Sequence, residues 1–191
     1  MKLSLASSLV YLAAGAYSSV AAPPRGPSLA RRDYDTAISV LTSVKDGFGS
    51  VADAARNFEH DAGPLKEATS RLLAEVDSGT AKITGMRTLT TWDCLYLVPL
   101  GRGVQNGASS LADNLEAEKD AFEQHNQCAT VHSLLRLGVG ASTELVDAIA
   151  AKVPKYLRTT VETQGSVISQ HLERAQEMFA PENCVDSQLV R

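Results

Sequence analysis

From Asp33 onward the apolar residues recur at spacings of three and four, the period of helices that bury one face. No stretch shows the two-residue alternation of a half-buried strand. Asp33 and Asp35, both good capping residues, open the first segment, which carries Ile38, Leu41, Val44, Phe48, Val51, Ala55 and Phe58 on one side and stops near Asp61-Ala62-Gly63-Pro64. The second segment runs from Leu65 through Ala68, Leu72 and Val76 to Ile83, with a weak point at Asp77-Ser78-Gly79 before Gly85. The third covers residues 91–124, and Pro99 with glycines 101, 103 and 107 predicts a kink in its first half. Its second half is cleaner, with Val104, Ala108, Leu111, Leu115 and Phe122 opposite Asp113, Glu116, Glu118 and Asp120.

The fourth segment holds Val131, Leu134, Leu135, Leu145, Val146 and Ile149, and its boundary is expected at Val153 because the residue before a proline avoids the helical region. The fifth takes Tyr156, Leu157, Val161, Val167, Ile168, Leu172, Ala175 and Phe179, ending at Pro181. Short links between long helices reverse the chain, so the expected fold is all-α, an up-down antiparallel bundle of about five amphipathic helices.

Ahead of this pattern, Met1 and Lys2 precede an apolar run to Tyr17 and the small residues Ser19-Val20-Ala21, which reads as a signal peptide over residues 1–21 cleaved after Ala21. The run is too short to cross a bilayer. Residues 22–32 are Pro-rich and end in Arg31-Arg32, a dibasic processing site that would leave Asp33 as the mature start. The bundle then spans residues 33–181, with a tail over 182–191 lacking the small-residue site and apolar end of a lipid-anchor signal. These features imply a secreted, extracellular protein with no transmembrane segment in the mature chain.

The formal charge is −4, but Lys2, Arg25, Arg31 and Arg32 all lie in the segments expected to be removed, and no acidic residue does. The mature chain is therefore distinctly acidic, which argues against nucleic acid and against electrostatic membrane docking. Any lipid contact must then come from apolar burial.

Three cysteines, at 94, 128 and 184, leave one thiol unpaired in an oxidising compartment. If residues 94–128 form mostly one helix, Cys94 and Cys128 stand about 50 Å apart at 1.5 Å per residue, far beyond disulfide reach. In an up-down bundle the start of helix four and the end of helix five share one end, so Cys128 and Cys184 are the expected bridge. Cys94, beside Trp92, Leu95 and Leu97, reads as a buried, inert thiol.

Chemical motifs are sparse. There is no nucleophile elbow, zinc-protease helix or phosphate loop, and the glycines of Gly101-Arg102-Gly103-Val104-Gln105-Asn106-Gly107 follow no strand. His125, Cys128 and His132 could share a helix face, but a thiolate ligand would forfeit the bridge, so no metal is expected. Carboxylate pairs such as Glu116 and Asp120 have the spacing of a solvated helix face. No catalytic residue and no cofactor are expected.

The positions Leu41 to Phe48, Leu72-Leu73 with Val76, Leu115 with Lys119 and Phe122, Leu145 to Ile149, Lys152-Val153-Pro154, Ile168 and Phe179 together resemble the hydrophobic surface-binding protein A family of filamentous fungi, which includes antigenic cell-wall galactomannoproteins. The resemblance implies a secreted or wall-associated helical bundle that adsorbs to hydrophobic surfaces, with some relatives holding fatty acids in a central cavity. The three cysteines and the lack of a Ser/Thr-rich tail depart from it.

Two mechanisms follow. In one, an acyl chain lies along the bundle axis against Leu111, Leu115, Leu135, Gly138, Val161 and Ile168, with Gly138, Gly140, Ala141, Gly107 and Ala108 giving the helices room to splay. The same small residues could equally allow close packing, and the same stripes fill ordinary cores. In the other, the bundle presents an apolar patch to wax, cuticle or wall. A cell-wall structural or host-interaction protein without a small ligand is the alternative.

Overall fold

The structure is a computed structural model describing residues 28–187; the expected signal peptide and its cleavage point after Ala21 lie outside the described residues. Six helices are described: α1 (Ser28–Arg56), α2 (Gly63–Thr84), α3 (Thr91–Ala117), α4 (Lys119–Gln124), α5 (Cys128–Lys152) and α6 (Lys155–Met178). No described residue lies in a strand.

Local chemistry explains most boundaries. Pro64 sits in the first turn of α2, where its missing N–H costs nothing, and the Gly63 amide donates to Asp61 Oδ1 at 2.9 Å. Thr90 and Asp93 form a reciprocal capping box at the start of α3, the Thr90 amide donating to Asp93 Oδ2 and the Asp93 amide to Thr90 Oγ1. Val153 is extended ahead of Pro154 and ends α5 where expected. Asn126, at φ 58°, turns the chain between α4 and α5 in the left-handed conformation that asparagine tolerates.

Three expectations are revised. The first helix begins at Ser28, before Asp33, because Leu29, Ala30, Arg31 and Arg32 are all good helix formers following Pro27. Arg31-Arg32 therefore sits in the opening turns of α1, with Arg31 Nε 3.8 Å from Asp35 Oδ2. The segment expected over 91–124 is two helices: α3 continues past Pro99, which deprives the carbonyl of Leu95, a residue on the exposed face, of its helical donor. The chain breaks at Glu118, which turns it so that α4 can drive Phe122 into the core.

The third revision concerns neighbours. The helices alternate in direction along the chain, but in space they close a ring in the order α1, α2, α5, α6, α3 and back to α1. An odd ring cannot be antiparallel throughout. Gly79 lies against Val40 and Gly47 against Leu72, so α1 and α2 are antiparallel, as are α5 and α6, where Gln176 meets His132 and Arg158 meets Ala150. By contrast, α3 runs parallel to α1, with Gly103 on Lys45 and Asn114 on Ala52, and parallel to α6, with Gln105 on Gln164 and Arg174 on Asp113.

Ring closure has a geometric consequence. With neighbours at an interaxial distance of about 9.5 Å, the centre of a five-helix ring lies about 8 Å from each axis, against about 6.7 Å in a four-helix square. Medium-sized side chains fill the square but leave space in the ring.

One end is closed. Phe122, carried by α4, stacks on Phe58 with centroids 4.0 Å apart and meets Phe179 edge-on at 5.6 Å. All three rings are buried. Beside them Cys128 and Cys184 are joined in a disulfide that ties the chain after α6 to the start of α5.

Candidate functional site

Among the described residues, two apolar chambers share Phe48, Val76 and Ser142 as a common wall. The smaller, about 40 Å³, lies toward the phenylalanine-sealed end between Val51, Leu65, Leu72, Leu111, Leu115 and Leu172. The larger, about 320 Å³, lies between the first half of α3, the second half of α5 and the first half of α6, with Leu41 and Val44 of α1 behind. Its size is about twice that of a 150 Å³ engineered cavity that stays dry and takes benzene.

The six residues singled out from the sequence all border this space. Leu111, Leu115, Leu135 and Gly138 line the small chamber, and Val161 and Ile168 line the large one. The residues that make most of the large chamber were not among them: Leu41, Val44, Val98, Gly101, Leu145 and Val146. Gly101, beside which a Cβ would meet nothing within 4 Å, belongs to the glycine-rich stretch whose sequence predicts only a kink.

The small residues divide by role. At Gly107 a Cβ would fall 2.8 Å from Phe48 Cβ, so this glycine brings α1 and α3 together rather than letting them splay. Gly165, unremarked in the sequence, does the same between α6 and α5, since a Cβ there would overlap Val146. Gly138 has open space before it, its nearest neighbour being Leu172 at 4.0 Å.

Polar groups on the large chamber are few. Gln105 Nε2 donates to the carbonyl of Gln164 at 2.7 Å and to its side chain at 3.0 Å, bridging α3 and α6. Arg102 is exposed at the rim and is the one formally charged side chain of the lining. Ser142 is buried in the shared wall. Cys94 is free and half-buried, and burial, aided by the neighbouring Asp93 charge, pushes its thiol up to about 11. No histidine or carboxylate borders the chamber to activate it.

The possible metal face dissolves in three dimensions. His125 sets its ring against Phe58 and near His60, while His132 turns toward Gln176. Among the described residues the one cluster of ligand-type atoms is Glu123 with Cys128 and Cys184, whose sulfurs are bonded to each other.

No curated protein sequence matches the chain. Solved structures match its fold. Ligand binding domain 1 of the Penicillium marneffei MP1 protein, solved with arachidonic acids, superposes at a TM-score of 0.75 with 19% identity, covering 78% of this chain and 99% of that one. Domain 2 of the same protein, solved with multiple arachidonic acids, gives 0.73 with 20% identity over 76% and 95%. The AFMP4P structure in complex with palmitic acid gives 0.72 with 17% identity over 77% and 99%. The sequence itself matches the family described as hydrophobic surface binding protein A over residues 34–151, a stretch that takes in all of α2 to α4 and most of α1 and α5. The chain belongs to the hydrophobic surface binding protein A family.

Proposed function

We propose that this protein binds long-chain fatty acids, with the acyl chain in the large chamber and the carboxylate at the rim beside Arg102. The observation that carries the reading is the 320 Å³ apolar space held open by the five-helix ring. The fatty acids found with the structural neighbours lend support. Burying a dozen methylenes at about 0.8 kcal/mol each yields roughly 10 kcal/mol, from which at least about 4 kcal/mol is lost with the ligand's freedom of motion. The remainder corresponds to a Kd on the order of tens of micromolar before any contact with the carboxylate.

Arg102 supports the polar end of this reading because a carboxylate at the rim would face the lining's one cation, while the tail avoids water. The protein acts outside the cell as a carrier or adsorbing protein with no catalytic role, secreted after signal-peptide removal and processing at Arg31-Arg32, and in part associated with the wall.

Native mass spectrometry of the chain from Asp33, before and after delipidation and then on titration with palmitic acid, tests the reading. A one-to-one adduct that returns on titration is expected. A bare protein that takes up nothing overturns the chamber reading and leaves surface adsorption. For the rim, Arg102→Gln is expected to weaken palmitate about fivefold, the scale of an exposed ion pair, and to leave the uncharged alcohol of the same length unaffected. Ser142→Ala is expected to change neither.

A further inference from the structure

The acidic total conceals a strong segregation of charge along the bundle axis. Residues 31–44, 77–104 and 146–164, which surround the large chamber, carry eight basic and six acidic side chains. Residues 45–76, 105–145 and 165–187, toward the sealed end, carry seven basic and sixteen acidic ones. The two halves thus stand at +2 and −9, and removal of Arg31 and Arg32 would bring the first only to neutrality.

The end opposite the phenylalanine seal carries four of the six large apolar side chains that face solvent among the described residues, the other two being Leu137 and Val185 in the sealed half. Trp92, Leu95 and Val98 are 60%, 53% and 45% exposed at three-residue spacing on α3, and Tyr156 of α6 is 68% exposed. A hydrogen bond between Thr91 Oγ1 and the Tyr156 hydroxyl joins the two helix starts. Val98 belongs both to this patch and to the chamber lining, so the patch is continuous with the chamber mouth. Arg102, Lys155 and Arg158 are exposed on the same two helices. Of the six acids in this half, Asp33 is paired with Arg87 and Asp35 with Arg31, Asp93 is tied into the capping box at Thr90, and Asp77, Asp147 and Glu162 lie farther from the helix ends on α2, α5 and α6.

We propose that this end docks on a phospholipid bilayer carrying anionic headgroups, with Trp92, Leu95, Val98 and Tyr156 entering the interface and Arg102, Lys155 and Arg158 resting on the phosphates. Tryptophan and tyrosine favour this depth because an apolar ring body and a polar tip suit the headgroup boundary. The sealed acidic end does not oppose docking. Charges interact over about 8 Å at physiological ionic strength, whereas α6, with 24 residues, is about 36 Å long. Repulsion of the far carboxylates instead selects the mouth-down orientation. Docked this way, the chamber opens on the acyl region and a fatty acid enters without crossing water, a consequence that rests on the fatty-acid reading above.

Trp92 is the sole tryptophan of the chain and makes the test direct. Its emission is followed in the purified chain from Asp33 on adding phosphatidylcholine vesicles with and without phosphatidylglycerol, some with brominated acyl chains. The expected result is a blue shift and bromine quenching on the mixed vesicles, with much weaker response to phosphatidylcholine alone. Leu95→Asp is expected to abolish the shift, and Lys155→Glu with Arg158→Glu to weaken docking at least tenfold, at unchanged helical circular dichroism. Lys155→Glu alone, expected to weaken docking about fivefold, serves if the double variant misfolds. An unmoved Trp92 spectrum, an equal response to both vesicle types, or full docking by Leu95→Asp overturns the proposal. Because these readouts need no fatty acid, docking can fail while palmitate titration succeeds, and the reverse.

Discussion

Filling the large chamber from its own wall separates ligand space from ordinary core. Leu145 is 5% exposed and borders the large chamber from α5. Leu145→Trp adds about six carbon-sized atoms, which in a close-packed core costs roughly 1–3 kcal/mol of strain. Here the new ring has about 320 Å³ to enter, so stability is expected to stay within about 1 kcal/mol of the parent or to rise. The ligand loses the same volume. Displacing about six methylene positions at about 0.8 kcal/mol each removes roughly 5 kcal/mol of acyl burial, more than a thousandfold in affinity. Urea unfolding of the apo forms reads the first quantity, and displacement of a fluorescent fatty acid reads the second. A folded Leu145→Trp protein that still binds palmitate with parental affinity refutes the reasoning, and so does a loss of several kcal/mol, which shows the space to be already filled.

Three further outcomes are expected. Replacing Cys128 and Cys184 with serine releases a loop of 56 residues' separation and should cost about 4 kcal/mol in urea unfolding, while Cys94→Ser, which crosslinks nothing, should be far milder. The raised Cys94 thiol should alkylate at pH 8 about a hundredfold more slowly than a thiol at the ordinary 9.0, and since it holds its proton longer folded than unfolded, its contribution to stability is present below pH 9 and lost as the pH climbs toward 11. Gly165→Ala should destabilise by roughly 1–3 kcal/mol through overlap with Val146, and adding Val146→Ala should restore most of the loss in thermal melts.

Much of this protein is legible without coordinates. The three-and-four spacing places the long helices within a few residues of where they lie, because an amphipathic helix needs its buried stripe whatever it packs against. Pro64, the Thr90–Asp93 pair and Val153-Pro154 fix boundaries through backbone chemistry that acts locally. The Cys128–Cys184 pairing follows from helix direction alone. The family resemblance is carried by the same spaced apolar positions, and the match over residues 34–151 agrees with it.

What the spacing could not convey is which stripe residues fill space and which surround it. Leucine and valine are written alike in both roles, and the difference arises only when five helices close a ring wider than their side chains. For the same reason Gly107 could not be told from Gly138, since one faces Phe48 and the other an opening. Charge was misleading in total for a related cause: chain order interleaves the two ends of the molecule five times, and only folding gathers the basic residues at the mouth and the carboxylates at the sealed end. Periodicity is a property of each helix separately, so the sequence by itself determined the elements and their directions. The chamber, its rim and the polarity of the bundle are properties of the ring, and only the tertiary structure decided them.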